Sequence, residues 1–127
     1  MGEQEDGAIR IVRAAAELDW ERAQAFGERL REAAGVDGAL VVVDLSQVVF
    51  ADSATLHVLL ETRRGLADRG GRLVLAGPLS TGIRRLFDVT MTSEYFEFAA
   101  DAATACGTLG NGSRGPAGDP FRKPPEA

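Results

Sequence analysis

Ala39-Leu40-Val41-Val42-Val43-Asp44-Leu45 is the stretch that decides the fold. It is a continuous apolar, β-branched run without alternation, the pattern of a strand covered on both faces, and such strands belong to parallel sheets flanked by helices. On its N-terminal side, Asp19 is placed to cap a helix running from about Trp20 to Ala34, with Glu21 favourable in the first turn. Ala23, Phe26, Leu30 and Ala33 fall on one face of that helix, and Arg22, Glu28, Arg29, Arg31 and Glu32 form its wet side. Gly35 closes it and Gly38 opens the turn into the strand. On the C-terminal side, a loop from Ser46 to Asp52 leads to a helix over about residues 53–69. It carries Leu56, Leu59, Leu60 and Leu66 and ends at Gly70-Gly71.

Further out the alternation continues. Residues 9–16 suit a strand, and Arg72-Leu-Val-Leu-Ala76 suits another buried one. Gly77-Pro78 turns the chain, Ser80 is placed as an N-cap, and a short helix follows with Ile83, Leu86 and Phe87. Tyr95-Phe-Glu-Phe98 alternates as a final strand, and Asp101 caps a small helix over residues 102–106. Strand and helix alternate four times. That order predicts an α/β domain with a mostly parallel sheet of four to five strands and about four helices.

Composition narrows the function classes. The chain has 127 residues, enough for one domain, and a net charge of −5. A protein that binds by neutralising phosphates should be basic, so nucleic acid and acidic membrane surfaces are disfavoured partners. Residues 1–8 form an acidic head carrying Glu3, Glu5 and Asp6 without a base. Residues 107–127 hold Arg114, Arg122 and Lys123 against Asp119 and Glu126, with five glycines, four prolines and one aromatic, Phe121. Such a segment buries too little apolar surface to offset its ordering entropy, so a disordered tail is expected there and the domain is expected over residues 9–106. The acidic start has no apolar core of a signal peptide, and no apolar run approaches a membrane span. A cytoplasmic protein without membrane insertion is expected.

Catalytic readings are poorly supported. The single cysteine, Cys106, and single histidine, His57, exclude an internal disulfide, a cysteine-only metal cluster and any site needing two imidazoles. Cys106 reads most simply as a small apolar residue. Gly77-Pro-Leu-Ser-Thr-Gly82 has the glycine spacing of a phosphate-binding loop, but Ile83 and Arg84 stand where Lys and Ser/Thr are required. A triad of Ser53, His57 and Asp52 would lie on one short segment with no nucleophile elbow. No catalytic residue, metal site or cofactor is expected. What stands out is Phe50-Ala-Asp-Ser-Ala-Thr-Leu56, beyond the carboxyl end of a buried strand and at a helix N-terminus. Open α/β sheets place their sites there, and free N–H groups favour an anion or a phosphorylated side chain. Simple capping by Asp52 or Ser53 is the alternative.

Four stretches together resemble the STAS family, specifically the bacterial anti-sigma factor antagonists. Ala16-Glu-Leu-Asp19 is similar to the family's Gly-Glu-Leu-Asp. Val42-Val-Asp-Leu-Ser46 with Val49-Phe-Ala-Asp-Ser53 is similar to the strand and loop ending in Asp-Ser. Gly70-Gly-Arg-Leu-Val-Leu-Ala-Gly77 resembles the next glycine-led strand, and Arg84-Arg-Leu-Phe87 with Thr90 the following helix and loop. The resemblance implies a non-enzymatic partner switch. Such antagonists bind an anti-sigma factor that is also a serine kinase of the histidine-kinase-like ATPase fold, releasing a sigma factor, and phosphorylation by that kinase switches them off. A phosphate would add about −1.5 to −2 charge beside Asp52.

Two departures bear on that mechanism. The family reads Asp-Ser-Ser/Thr-Gly-Leu, its second hydroxyl being the usual acceptor, whereas this chain reads Asp52-Ser53-Ala54-Thr55-Leu56. The acceptor position is Ala54, which has no oxygen to esterify. Three outcomes are open: a permanently active antagonist, a displaced acceptor at Ser53 or Thr55, or a domain that only scaffolds. Second, the family's extra first strand could come only from Met1-Gly-Glu-Gln-Glu-Asp-Gly-Ala8, which has poor strand propensity. That strand is expected to be missing or very short, leaving an edge open to pairing with another copy.

The contact patch implied by the resemblance is Asp52, Ser53, Ala54, Thr55 and His57, with Asp19 and Trp20 as secondary members. For His57 a solvated helix residue is the alternative, and for Trp20 half-buried packing against the sheet. Two rival functions remain. A STAS subunit can serve a phospholipid-transport ATPase or a stress-signalling scaffold. A small-molecule or nucleotide-binding α/β domain would need a defined pocket at the strand ends.

Overall fold

The computed structural model describes residues 3–6 and 9–110. In chain order its elements are β1 (Glu3–Asp6), β2 (Ile9–Arg13), β3 (Glu17–Leu18), α1 (Trp20–Ala33), β4 (Leu40–Asp44), β5 (Phe50–Ala51), α2 (Ser53–Asp68), β6 (Arg72–Ala76), α3 (Thr81–Val89), a 3-10 turn (Ser93–Tyr95), β7 (Glu97–Ala99) and α4 (Ala102–Gly110). The main sheet has five strands in the order β1-β2-β4-β6-β7, parallel except for β1. This is the α/β architecture expected from the alternation.

The unbroken apolar run of β4 is explained by its central place. Val42 lies opposite Ile11 and Val74, and Val43 opposite Val12 and Leu75. Successive side chains point to opposite faces. Val41 and Val43 join Phe26, Leu30, Leu59 and Phe87 in the core beneath α1, α2 and α3. Val42 joins Ile11, Val74, Ala105 and Leu109 in a smaller core beneath α4. All three valines are 0% exposed, each burial contributing about 1.5–3 kcal/mol. At the rim, Phe87, Phe96 and Phe98 meet edge to face, with Phe87 5.6 and 5.4 Å from the other two ring centres.

Several local expectations shift. The first strand is short but present: Glu3–Asp6 pairs antiparallel with β2, Glu3 opposite Val12 and Asp6 opposite Ile9. The open backbone edge of β2 outweighs the weak strand propensity of this acidic segment. The last strand starts later than Tyr95, because a bond from the Tyr95 N–H to the Thr92 carbonyl closes a turn first. The last helix does not stop at Cys106. It continues through Gly110, where burial of Leu109 at 4% exposure outweighs the cost of Gly107, so residues 107–110 of the expected tail are helical. Residues 111–127 of that tail, and residues 1–2 and 7–8 of the acidic head, lie outside the described residues. The loop from Ser46 to Asp52 also contains structure with no period to announce it. In it, β5 pairs in parallel with β3, Glu17 opposite Phe50 and Leu18 opposite Ala51.

Candidate functional site

Parallel strands place every following helix start at one end. At the carboxyl ends of the strands lie four side-chain caps. Asp19 accepts from the Arg22 N–H at 2.9 Å, Asp52 from Ala54 at 3.0 Å, Ser80 from Ile83 at 3.2 Å and Asp101 from Thr104 at 2.7 Å. The Thr104 backbone N–H and then its hydroxyl hold the Asp101 carboxyl below its ordinary value of 3.8. One donor in each first turn therefore already serves the chain's own side chain, which weakens the expectation of an anion cradle at α2.

The small β3–β5 sheet joins the two most suggestive helix starts. Each of its strands ends one residue before an N-cap, Asp19 for α1 and Asp52 for α2. The sheet is anchored further by Val49 and Phe50, whose N–H groups both donate to the Ala16 carbonyl, at 2.7 and 3.2 Å. Asp19 and Trp20, secondary candidates on sequence grounds, thus share one surface with Asp52 and Ser53. Arg22 donates through Nη1 to the second oxygen of Asp19 at 3.0 Å.

The patch members differ sharply in access. Ser53 is exposed as the first residue of α2, and Asp52 and Ala54 are half-buried. His57 is exposed one turn later, with Nε2 3.2 Å from Glu61 Oε2. Thr55 departs from expectation. It is 2% exposed, and its hydroxyl donates to the Leu18 carbonyl at 3.3 Å. It is a structural tie between α2 and β3, not a contact residue. Trp20 is 64% exposed, which goes against the alternative of half-buried packing on the sheet.

Sequence reasoning passed over Val49 and Phe50 as contact residues. They are 61% and 53% exposed on the β5 side of this end. Nothing in the run Val48-Val49-Phe50-Ala51 separates the buried Val48 from its two exposed successors, because it carries no polar alternation.

Beneath the patch, among Leu18, Val48, Thr55, Leu59 and Phe87, lies a hollow of about 10 Å³, room for about one water molecule. A groove of about 290 Å³ lies elsewhere, between α1 and α2, lined by Gly27, Arg31, Val58, Glu61, Gly65 and Arg69. Among the described residues no group of three or more His, Cys, Asp or Glu side chains could hold a metal ion. None of the described helices is long and apolar enough to cross a membrane.

Comparison with known proteins follows the same outline. The STAS domain family model matches residues 3–105. Among solved structures, an anti-sigma factor antagonist from Mycobacterium paratuberculosis superposes with a TM-score of 0.74 at 21% identity, covering 84% of this chain and 90% of that one. An anti-sigma-factor antagonist (STAS) domain protein from Planctomyces limnophilus gives 0.74 at 16% identity, covering 84% and 94%. The Bacillus cell fate determinant SpoIIAA in its phosphorylated form gives 0.65 at 19% identity, covering 84% and 96%. At these identities the likeness is one of fold.

Proposed function

We propose that this chain, which belongs to the STAS domain family, works as a non-enzymatic anti-sigma factor antagonist whose switch position is permanently in the unphosphorylated form. It binds a kinase-type anti-sigma factor, frees a sigma factor and so regulates transcription indirectly. The reading is supported by the surface formed where β3 and β5 deliver Asp19 and Asp52 to the starts of α1 and α2. It combines the polar residues Asp19, Asp52 and Ser53 with the exposed apolar Trp20, Val49 and Phe50, a mixture that suits a protein partner. The rival nucleotide-binding reading needs a pocket at the strand ends, where the hollow beneath the patch is about 10 Å³.

The observation that carries the switch argument is residue 54. Its N–H is held by the Asp52 carboxylate, and its side chain is a half-buried methyl group with no oxygen. Of the two displaced acceptors, Thr55 is out of a kinase's reach while its hydroxyl is turned inward to Leu18. Ser53 is exposed and is the acceptor to test.

The experiment mixes the purified chain with a kinase-type anti-sigma factor, with and without ATP. The wild-type complex should survive ATP, release sigma factor and show no phosphate on Ser53 by mass spectrometry. Ala54→Ser should become phosphorylated and lose at least about tenfold in affinity, because a group of about −1.5 to −2 charge would meet Asp52 inside the contact. Stoichiometric phosphate on wild-type Ser53 overturns the permanently active state. Absence of any complex overturns the antagonist function.

A further inference from the structure

We infer that a second, apolar lobe centred on Trp20, Val49 and Phe50 anchors the partner, and that it fits a protein surface offering an apolar hollow with a basic rim on one side. The inference rests on the antagonist reading for which end of the molecule is engaged. It goes beyond that reading in placing the affinity away from residue 54 and in naming the chemistry of the facing surface.

Three observations converge. First, the three side chains are 64%, 61% and 53% exposed, although each is large and apolar. Single exposed apolar residues need no explanation, but a cluster at one end of a small domain marks an interaction surface. Second, their backbone is held in place. The Val49 and Phe50 N–H groups both bond to the Ala16 carbonyl, Phe50 lies opposite Glu17 in the β3–β5 register, and Trp20 opens a helix capped by Asp19. A preorganised anchor loses little freedom on binding, which is why tryptophan on a rigid element is so often a hot spot. Third, carboxylates stand on the β3 side of the lobe, while α3, which carries the exposed Arg84 and Arg85, packs on the Val49 side. Glu17 lies opposite Phe50, Glu21 follows Trp20, and Asp19 and Asp52 cap the two helices. Arg22 in this region is already engaged with Asp19 at 3.0 Å. An apolar centre with an acidic margin at Glu17, Asp19 and Glu21 is complementary to an apolar hollow with Lys or Arg facing that margin, and disfavours a second copy of the same acidic margin.

Site-specific photocrosslinking in the native cell tests this with the full-length chain. The benzophenone amino acid p-benzoylphenylalanine replaces, one at a time, Trp20, Phe50, Ser53, His57 and the controls Asp68 and Ala103. The cross-linked peptide is identified by mass spectrometry. Positions 20 and 50 should cross-link to one partner through a peptide of net positive charge, and positions 68 and 103 should not. With that partner purified, Trp20→Ala and Phe50→Ala should each weaken binding about 30-fold with unchanged melting temperature. Glu17→Arg should weaken it further as salt is lowered, the reverse of the wild-type trend.

Each other outcome decides something. Cross-links from 53 and 57 but not from 20 and 50 overturn the apolar lobe and leave the antagonist reading standing. A partner that is not an anti-sigma factor does the opposite. A product of twice the chain mass, or one joined to this chain's own residues 111–127, overturns the proposed occupant. No cross-link from any position overturns both.

Discussion

The two ends of the sheet are built on different terms. At the amino ends of β4 and β6 the chain passes from helix to strand through tight glycine turns, whereas α3 reaches β7 through Met91, with φ of 57°, and a 3-10 turn. Gly38 and Gly70 have φ of 74° and 73°, and Gly71 leaves no room for a side chain. At the carboxyl ends the chain passes from strand to helix through capped starts, Asp19, Asp52, Ser80 and Asp101, the first three each followed by an exposed residue. One end is closed by close approach of backbones, the other held open by side-chain hydrogen bonds. The first arrangement resists substitution for two reasons: Gly71 has no room for a Cβ, and Gly38 and Gly70 hold positive φ in open space. The second leaves exposed positions free to vary, which is what a surface matched to a particular partner requires.

The sharpest way to break this contrast is Gly71→Ala. An added Cβ would sit 2.4 Å from the Ala39 carbonyl oxygen and 2.8 Å from Leu66 Cδ2. Neither can move freely: the Ala39 carbonyl accepts from Arg72 at 3.0 Å, and Leu66 is 1% exposed. A loss of about 3 kcal/mol or more is expected, at the upper end of overpacking costs. Urea denaturation measures it. Gly65→Ala is the control, since nothing lies within 4 Å of its added Cβ and the residue is inside α2, where alanine is the better helix former. A similar loss for both variants would show that the amino end is not specially closed.

Thr55→Val probes the one buried hydrogen-bonding side chain at the open end. The substitution keeps the shape and removes the donor to the Leu18 carbonyl, so a loss of about 1–2 kcal/mol is expected. It should come with faster amide exchange in the first turn of α2. Unchanged stability would mean that the β3–β5 pairing holds this end without the hydroxyl.

The two ends were also unequally legible in the sequence. Long periodic segments announce themselves: β4 through its unbroken apolar run, α1 through Ala23, Phe26, Leu30 and Ala33. Three caps, Asp19, Ser80 and Asp101, were readable because Asp and Ser compete for backbone N–H groups at helix starts, while at α2 the sequence left Asp52 and Ser53 as alternatives. The β3–β5 sheet was not, because two residues carry no period. Thr55 was legible in principle. It falls at helical spacing with Leu59, Thr62 and Leu66, all buried, but a threonine beside a cap invites a polar reading. Trp20 misleads through size. It lies three residues before Ala23 on the stripe that is buried further along α1, which invites a packed reading, yet it is 64% exposed. The candidate site was therefore visible as a place, while its depth at each position depended on a two-strand pairing between segments over 30 residues apart in sequence.

The smallest expected effect separates the caps of the open end from one another. Asp101 is fully exposed, and hydrogen bonds from Thr104 lower its carboxyl pKa in the folded state. A group whose folded value is depressed contributes stability above its unfolded value, near 3.8, and that contribution is lost as pH falls through the folded value. Acidification below about 4 should therefore loosen the first turn of α4. Amide exchange of Thr104 and Ala105 reads this directly, since both donate to Asp101, at 2.7 Å to a carboxylate oxygen and 3.0 Å to its carbonyl. Asp101→Asn keeps an acceptor oxygen and removes the titration, so the pH dependence of that exchange should flatten while α4 remains folded. If the wild type and the variant respond alike to acid, the loosening comes from other carboxylates, and the Asp101 cap acts only through geometry.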